Sequence, residues 1–390
     1  MIRSITTLLS AIILLGLLFG CSINSEDKDN NQPDLMNRLS NETLIDTDYI
    51  HWIGRTHYNS DEQKQYFYHT AGGFEVTFEG TYLKVIIHAT NTDSENLRPY
   101  FSVLLNNQTP QEGQVISLTE ETSEIVLIDH LPEGVHTIKF LKRSEARDSI
   151  TAISVIETDG QFHTQNSTAQ YNILFLGGSG MSGNGVFGQQ GVSRTTENSS
   201  SLHAFAYKIA EELDANYQFV ASSGWGLKWG YNPTNNDGQI NIRSAFDKVG
   251  IDDQQNLIDI DFDHLSFIPD FIVINLGGND FSAHVLNLTG EERSDAEKEF
   301  QDAVLEIIVY LNALYPSAVI YWTHTGSING NLAATVISDL DPLRIYVEAV
   351  VIYSPGDNND PIGSGNHARE ITHERNAQLL ITKINERIED

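Results

Sequence analysis

The sequence predicts two folded regions of different class: an all-β jelly-roll sandwich over residues 41–162, then a three-layer α/β domain with a parallel sheet over residues 168–390. Three observations carry this prediction. The chain has 390 residues, more than a single core usually organises. Its first half alternates apolar and polar residues in short segments. Its second half alternates apolar strands with amphipathic helices.

Composition agrees with a packed globular protein, because 40% of the residues are hydrophobic and 19% are charged. There are 53 acidic residues against 23 Lys and Arg, and the resulting net charge of −30 would repel phosphate backbones. We therefore expect no nucleic acid partner. The single cysteine permits neither an internal disulfide nor a thiolate cluster for zinc or iron–sulfur, so any chemistry must use other ligands. The function predicted below requires no metal or cofactor.

The N-terminus has the pattern of an export signal over residues 1–20, with Arg3 ahead of an apolar run. A permanent transmembrane anchor is the weaker alternative, because a spanning helix needs about 20 apolar residues. Leu-Phe-Gly-Cys at 18–21 resembles the lipobox of bacterial lipoproteins. That resemblance implies cleavage before Cys21 and acylation of Cys21, with the protein anchored to the cell envelope at the outer membrane or the cell surface and periplasm. Polar residues 21–40 form the predicted linker.

Short alternating segments fill residues 41–162, for example Phe74–Phe78 and Tyr82–Ile87. A period of two is typical of half-buried strands. Turn signals such as Gly72-Gly73 and Pro132-Glu133-Gly134 separate these segments, and no long helical pattern intervenes. The pattern predicts an antiparallel sandwich.

Beyond residue 168, apolar strands and amphipathic helices alternate, as in parallel sheets that are covered on both faces. The predicted strands are Tyr171–Leu176, Gln218–Ala221, Phe271–Leu276 and Val319–Trp322. The predicted helices are Leu202–Leu213 behind capping serines Ser199–Ser201, Phe300–Leu314 ahead of Pro316, and one running through Ala377, Leu380 and Ile384.

Three glycine-containing loops follow the first three predicted strands: Gly-Gly-Ser-Gly at 177–180, Ser-Ser-Gly-Trp-Gly at 222–226 and Gly-Gly-Asn-Asp at 277–280. Open α/β sheets bind ligands at the carboxyl ends of their strands, where these loops lie. A serine hydroxyl becomes a nucleophile when an imidazole accepts its proton, and the oxyanion that forms requires hydrogen-bond donors. The loops contain all of these groups except the imidazole, and His367 supplies it just ahead of the last helix.

Ser179 is therefore the candidate nucleophile, and His367 is the candidate base. The candidate oxyanion donors are the backbone N–H groups of Ser179 and Gly224 and the side-chain amide of Asn279. Ser182 remains a rival nucleophile at this stage. The other histidines with no partner at metal-ligand spacing are interpreted as structural: His203, His264 and His324.

Glycines 178, 180 and 183 also match the dinucleotide-binding fingerprint. That fingerprint requires a helix that begins at the third glycine and an acidic residue at the end of the second strand. Here the next helix begins only near Ser201 and the second strand ends in Ser222-Ser223, so the context argues against a dinucleotide site.

With a serine, a glycine, an asparagine and a histidine in this order, the chain resembles the SGNH (GDSL-like) hydrolases. Pro269–Asp280 is similar to the third block of that family almost throughout. The two-part layout resembles carbohydrate esterase family 2 more narrowly, over about residues 46–388. Similar sandwich motifs are Ile53-Gly54-Arg55, residues 78–81, residues 131–136 and Lys142-Arg143, and the pair His367 and His373 is similar as well.

Three positions depart from the family pattern. Gly178 replaces the usual Asp before the nucleophile, Gly365 stands where an Asp two residues before the histidine is expected, and Ala368 replaces a proline. The resemblance therefore implies a Ser-His dyad without a carboxylate, in which a main-chain carbonyl would have to orient the imidazole.

The resemblance implies a carboxylic ester hydrolase, specifically a carbohydrate O-acetyl esterase that acts on xylan-like polysaccharides or oligosaccharides through an acetyl-enzyme. Two alternatives stay open. The departures at Gly178, Gly365 and Ala368 would also suit a glycan-binding lipoprotein that has lost activity. The same dyad would also suit a GDSL-type lipid or aryl esterase.

Overall fold

The computed structural model describes residues 49–164, 168–231 and 240–389. The predicted signal, Cys21 and the predicted linker lie outside these ranges. Within them, none of the helices combines the length and apolar character that a membrane span requires. The first eleven strands are β1 (Ile50–Ile53), β2 (Thr56–Asn59), β3 (Lys64–Phe67), β4 (Gly73–Glu79), β5 (Leu83–Ala89), β6 (Tyr100–Leu105), β7 (Gln114–Ser117), β8 (Thr122–Ile128), β9 (Val135–Lys142), β10 (Thr151–Thr158) and β11 (Gln161–His163).

These strands form two antiparallel sheets that pack as a sandwich. One sheet has the order β1-β4-β9-β6-β7, with β11 beside β4, and the other has the order β2-β3-β10-β5-β8. Alternate side chains of β5 point inward, where Leu83, Val85 and Ile87 are fully buried. Phe101 stacks on Phe140 in the same core with ring centroids 4.8 Å apart. The predicted sandwich is confirmed.

The remaining elements form the α/β half. Its strands are β12 (Tyr171–Gly177), β13 (Ala215–Ala221), β14 (Phe271–Asn275), β15 (Val319–His324) and β16 (Val347–Val351). Its helices are α1 (Phe205–Glu212), α2 (Ile242–Phe246), α3 (Gly278–Ala283), α4 (Gly290–Leu314), α5 (Ile328–Ser338) and α6 (Glu370–Glu389). Short 3-10 turns cover Ser201–His203, His264–Ser266, Val285–Asn287, Asp357–Asn359 and Ser364–Asn366.

The five strands form one parallel sheet in the order β13-β12-β14-β15-β16. Successive side chains of β12 enter different apolar clusters, Ile173 and Phe175 on the face with α1 and α6, and Leu174 and Leu176 on the face with α4 and α5. Both faces are therefore covered, as its apolar strands predict. The predicted three-layer α/β architecture is confirmed.

Several local predictions differ from the structure. The helix predicted from Leu202 begins at Phe205 with Ala204 as its N-cap, so the three serines at 199–201 do not cap it. The hydroxyl of Ser199 instead accepts from the N–H of Gly185, and that of Ser201 bonds to Thr70.

The helix predicted from Phe300 begins earlier, at Gly290. The sequence analysis also did not predict α2, α3, α5 and β16. β16 is an edge strand, α2 and α3 are short, and α5 contains glycine, asparagine and threonine, which are weak helix formers.

Apolar and polar contacts join the two halves. Ile53, Ala71 and Leu141 of the sandwich belong to the same buried cluster as Ile173 and Phe175 of β12. A second contact between the halves is made by the segment that joins β9 to β10, residues 143–150, which lies against the loop after β13. This segment brings charged sandwich residues close to the carboxyl edge of the parallel sheet.

Candidate active site

Ser179 and His367 lie side by side at the carboxyl edge of the sheet. Ser179 follows the end of β12, and His367 follows the 3-10 turn that precedes α6. The Nε2 atom of His367 is 2.7 Å from the Oγ atom of Ser179, although 188 positions separate the two residues. This distance is within the hydrogen-bond reach that a general base requires.

The Ser364 carbonyl orients the imidazole. It lies 3.2 Å from Nδ1 of His367, so Nδ1 carries the proton and donates it. The opposite nitrogen, Nε2, is then free to accept from the Ser179 hydroxyl. Gly365 has a φ of +62°, a left-handed conformation that suits glycine, and it allows the chain to fold back so that this carbonyl faces the ring.

Burial lowers the pKa of His367 below its ordinary value, because the surrounding protein disfavours the charged imidazolium. The hydrogen bond to Ser364 and the negative charge of Glu145 act in the opposite direction, and Arg194 lowers the pKa further. His367 is therefore neutral near pH 7, the form in which it accepts a proton.

The loops after β12, β13 and β14 meet at Gly178. A Cβ atom at this glycine would lie 3.1 Å from Nδ2 of Asn279, 3.3 Å from the carbonyl of Trp225 and 3.8 Å from that of Ser222. The absence of a side chain thus lets the loops after β13 and β14 approach the residue before the nucleophile. The candidate donor Gly224, with a φ of +87°, lies between Ser222 and Trp225 in the second of these loops.

The amide of Asn279 is held in place by its own neighbours. Nδ2 donates to the carbonyl of Trp225 at 2.7 Å, which uses one of its two hydrogens and leaves the other for a ligand. The adjacent Asp280 is fully buried and accepts from the N–H groups of Leu227, Lys228 and Trp229 at 2.8–2.9 Å. The loops after β13 and β14 are thereby fixed to each other.

Ser182, the rival nucleophile, lies apart from His367. It is fully buried, and its hydroxyl donates to the carbonyl of Gly178 at 3.1 Å. His203 and His264 have structural roles, since His203 bonds to the hydroxyl of Ser200 and His264 bridges Tyr315 and Asp247.

His373 is almost completely buried. Its Nδ1 accepts from the N–H of Phe205 at 3.3 Å. Burial lowers the pKa of His373 to about 3, which keeps this ring neutral. Its contacts thus tie the start of α1 to α6.

A cavity of about 170 Å³ adjoins Ser179 and Asn279. Its walls are mostly polar and come from the loops after β12 and β14, the end of β15 and the start of α5, including Thr323, His324 and Asn329. The sequence analysis interpreted His324 as structural, and the structure places it in the wall of this cavity. Burial lowers the pKa of His324, which favours the neutral ring. Because its Nδ1 accepts from the N–H of Gly326 at 3.2 Å, the neutral ring carries its proton on Nε2, which can donate a hydrogen bond.

A larger cavity of about 670 Å³ lies at the opposite edge of the sheet, where β12 and β13 begin. Trp52, Glu75 and Lys139 of the sandwich line it together with Asn172 and Tyr217. Ser266 and His51 both line it, but the hydroxyl of Ser266 donates to the carbonyl of Asp263, so this serine is not activated as Ser179 is. In the part of the chain that the structure describes, no three His, Cys, Asp or Glu side chains form a metal-binding group.

Known proteins share this architecture. The family model of the carbohydrate esterase 2 N-terminal domain matches residues 52–165. An acetylxylan esterase / glucomannan deacetylase of Cellvibrio japonicus is 24% identical over 339 residues, 85% of this chain and 88% of its own length. The solved structure of an acetyl xylan esterase from the rumen bacterium Butyrivibrio proteoclasticus has a TM-score of 0.77 at 19% identity, covering 91% of this chain and 99% of that one.

The predicted resemblance to carbohydrate esterase family 2 is confirmed. A family two carbohydrate esterase from Clostridium thermocellum, solved with cellohexaose, adds a TM-score of 0.72 at 22% identity over 87% of this chain and 99% of that one. At these identities the structural likeness to family 2 establishes the fold in both halves. The predicted enzyme class, a carboxylic ester hydrolase, agrees with the names of these relatives.

Proposed function

We propose that this protein is a carbohydrate O-acetyl esterase in which Ser179 and His367 deacetylate xylan-like polysaccharides or oligosaccharides. The observation that carries the proposal is the 2.7 Å contact between Ser179 Oγ and His367 Nε2, with the opposite ring nitrogen bonded to the Ser364 carbonyl. This tautomer is the one that can accept the serine proton. The esterase relatives support hydrolysis of an ester.

In the first half of the reaction, His367 takes the proton of Ser179 while Oγ attacks the acetyl carbonyl carbon. A tetrahedral intermediate forms, and its oxyanion accepts hydrogen bonds from the N–H groups of Ser179 and Gly224 and from the free hydrogen of Asn279 Nδ2. The bond from the carbonyl carbon to the sugar oxygen then breaks. The imidazolium returns its proton to that oxygen, which leaves the sugar hydroxyl and an acetyl-enzyme.

In the second half, His367 takes a proton from water, and the hydroxyl attacks the acetyl carbon. The same donors hold the new oxyanion, the bond to Oγ of Ser179 breaks, and the imidazolium protonates the serine. The product is acetic acid, which carries the oxygen from water and ionises to acetate once it leaves. In both halves the imidazolium is stabilised at Nδ1 by the neutral carbonyl of Ser364, where related triads use a carboxylate.

The cavity beside Ser179 favours a sugar ester over an ester of a long fatty acid. Its hydroxyl, amide and imidazole walls suit sugar hydroxyls, and the relatives named as acetylxylan esterases and the one solved with cellohexaose support a glycan substrate.

The test measures acetate released from acetylated xylan and p-nitrophenol released from p-nitrophenyl acetate. Wild type should turn over both substrates, and Ser179→Ala should be inactive. Equal rates for the two proteins would refute the nucleophile assignment. Retention of xylan without turnover would favour a glycan-binding protein, and faster cleavage of an eight-carbon than of an acetyl ester would favour a lipid or aryl esterase.

We further propose that the protein is exported and attached to the cell envelope by acyl chains on Cys21. The export pattern of residues 1–20 and the lipobox-like tetrapeptide support this. Labelling of growing cells with an alkynyl fatty acid should mark the wild type but not Cys21→Ser, which should appear in the soluble fraction. Labelling of both proteins would contradict the assignment.

A further inference from the structure

Glu145 of the sandwich is a buried carboxylate bound to the loop that carries Gly224. It lies in the connection between β9 and β10 and is only 1% exposed. One carboxylate oxygen, Oε2, accepts from the N–H of Ser223 at 2.6 Å and from the hydroxyl of Ser222 at 3.2 Å. The other, Oε1, accepts from the hydroxyl of Ser223. The carboxylate thus binds both residues immediately before Gly224.

A second sandwich residue holds the opposite side of the same peptide. Nη1 of Arg147 donates to the carbonyl of Ser223 at 2.9 Å. Because a trans peptide points its C=O and the following N–H in opposite directions, this bond aims the N–H of Gly224 away from Arg147. The direction of the candidate oxyanion donor is therefore set by two side chains from the other half of the molecule.

The charge of Glu145 is only partly neutralised. Nη2 of Arg194 lies 3.6 Å from Oε1, but the guanidinium forms its shorter, two-pronged contact with buried Asp148. Glu145 and Arg194 are the charged side chains that act on His367, whereas the nearby His373 is neutral.

We propose that Glu145 is a positioning residue for the esterase reaction: it fixes the loop that aims the Gly224 N–H. The sandwich then completes the catalytic half. This inference rests on the proposed function.

The test compares Glu145→Gln with wild type in steady-state kinetics and by NMR titration of the His367 ring. The variant should lose about 10- to 100-fold in kcat through the misplaced donor, with KM changed by less than about threefold. Without the negative charge, the ring should titrate at lower pH, and the acidic limb of kcat/KM should move with it. Wild-type kcat would overturn the inference, as would a loss of kcat/KM that comes from KM alone.

Glu157→Gln is the matched control, because Glu157 is a second buried sandwich carboxylate and is hydrogen-bonded to Tyr82 within the sandwich. It should leave kcat and the His367 titration unchanged. Should Glu145→Gln not fold, Arg147→Met tests the positioning step at a half-buried residue, with an expected loss of about 10-fold in kcat. Unchanged kcat there would overturn it.

The experiment also separates this inference from the proposed function. If wild type cleaves no acetyl ester, the proposed function fails. If wild type is active and Glu145→Gln matches it, only the inference fails.

Discussion

A single methyl group at Gly178 should disturb catalysis without destabilising the fold. The backbone of Gly178 is not in the left-handed region, so alanine fits its conformation. Its Cβ would lie 3.1 Å from Nδ2 of Asn279 and 3.3 Å from the carbonyl of Trp225, the two ends of the 2.7 Å hydrogen bond that orients the amide. Both groups must retreat by a few tenths of an ångström.

The size of the effect follows from that displacement. A misplacement of about 1 Å costs on the order of 100-fold in rate, so a few tenths should cost about 3- to 10-fold in kcat. Complete loss of one oxyanion donor would cost about 100- to 1,000-fold, which sets the upper bound. The free energy of unfolding should change by less than about 1 kcal/mol, because contacts of this kind cause only slight overpacking.

Gly180→Ala provides the matched control from the same loop. Its Cβ would meet only the side-chain oxygen of Asn275, at an ordinary contact distance of 3.5 Å. Hydrolysis of p-nitrophenyl acetate and urea denaturation should be measured for both variants. Gly180→Ala should stay within about twofold of wild type. If Gly178→Ala has the same kcat as Gly180→Ala, the reasoning about Asn279 is wrong.

Three further results are expected. Ser179→Ala should lose at least about 10³-fold in kcat with intact far-UV circular dichroism, and substantial residual turnover would point to another nucleophile. Ser182→Ala should remain within about threefold of wild-type kcat, because this buried hydroxyl donates to the Gly178 carbonyl. A folded but inactive Ser182→Ala would make Ser182 the nucleophile instead of Ser179. Burial lowers the pKa of His367, and the base must be neutral to accept a proton. We therefore expect kcat/KM to be constant near pH 7 and to fall only below about pH 6.5, the ordinary pKa of histidine. A kcat/KM profile with its acidic midpoint above about pH 6.5 would contradict this expectation.

The sequence allowed the fold and the central pair of the site to be predicted, because both follow from local patterns. Strand periodicity indicated the sandwich and the parallel sheet, and loops at strand ends must share one edge of such a sheet. This argument placed Ser179, Gly224 and Asn279 in loops at the same edge. His367 follows no predicted strand, and its pairing with Ser179 across 188 positions came from its chemistry and from the resemblance to the SGNH hydrolases.

The remaining features depend on directions and packing that residue types do not encode. Ser364 orients His367 through its backbone carbonyl, which every residue possesses, so its identity gave no signal. Glu145 lies in the sandwich, and only the docking of the two halves brings it to Ser223.

The separation of the two proposed catalytic side chains along the chain also sets when activity can arise during biosynthesis. At about 5–20 residues per second, the ribosome takes roughly 10 to 40 seconds to advance the 188 positions from Ser179 to His367. Until then the Ser179 hydroxyl of the nascent protein has no imidazole beside it. A translation product that stops short of His367 would therefore lack the proposed base, and hydrolysis could begin only after His367 has been added.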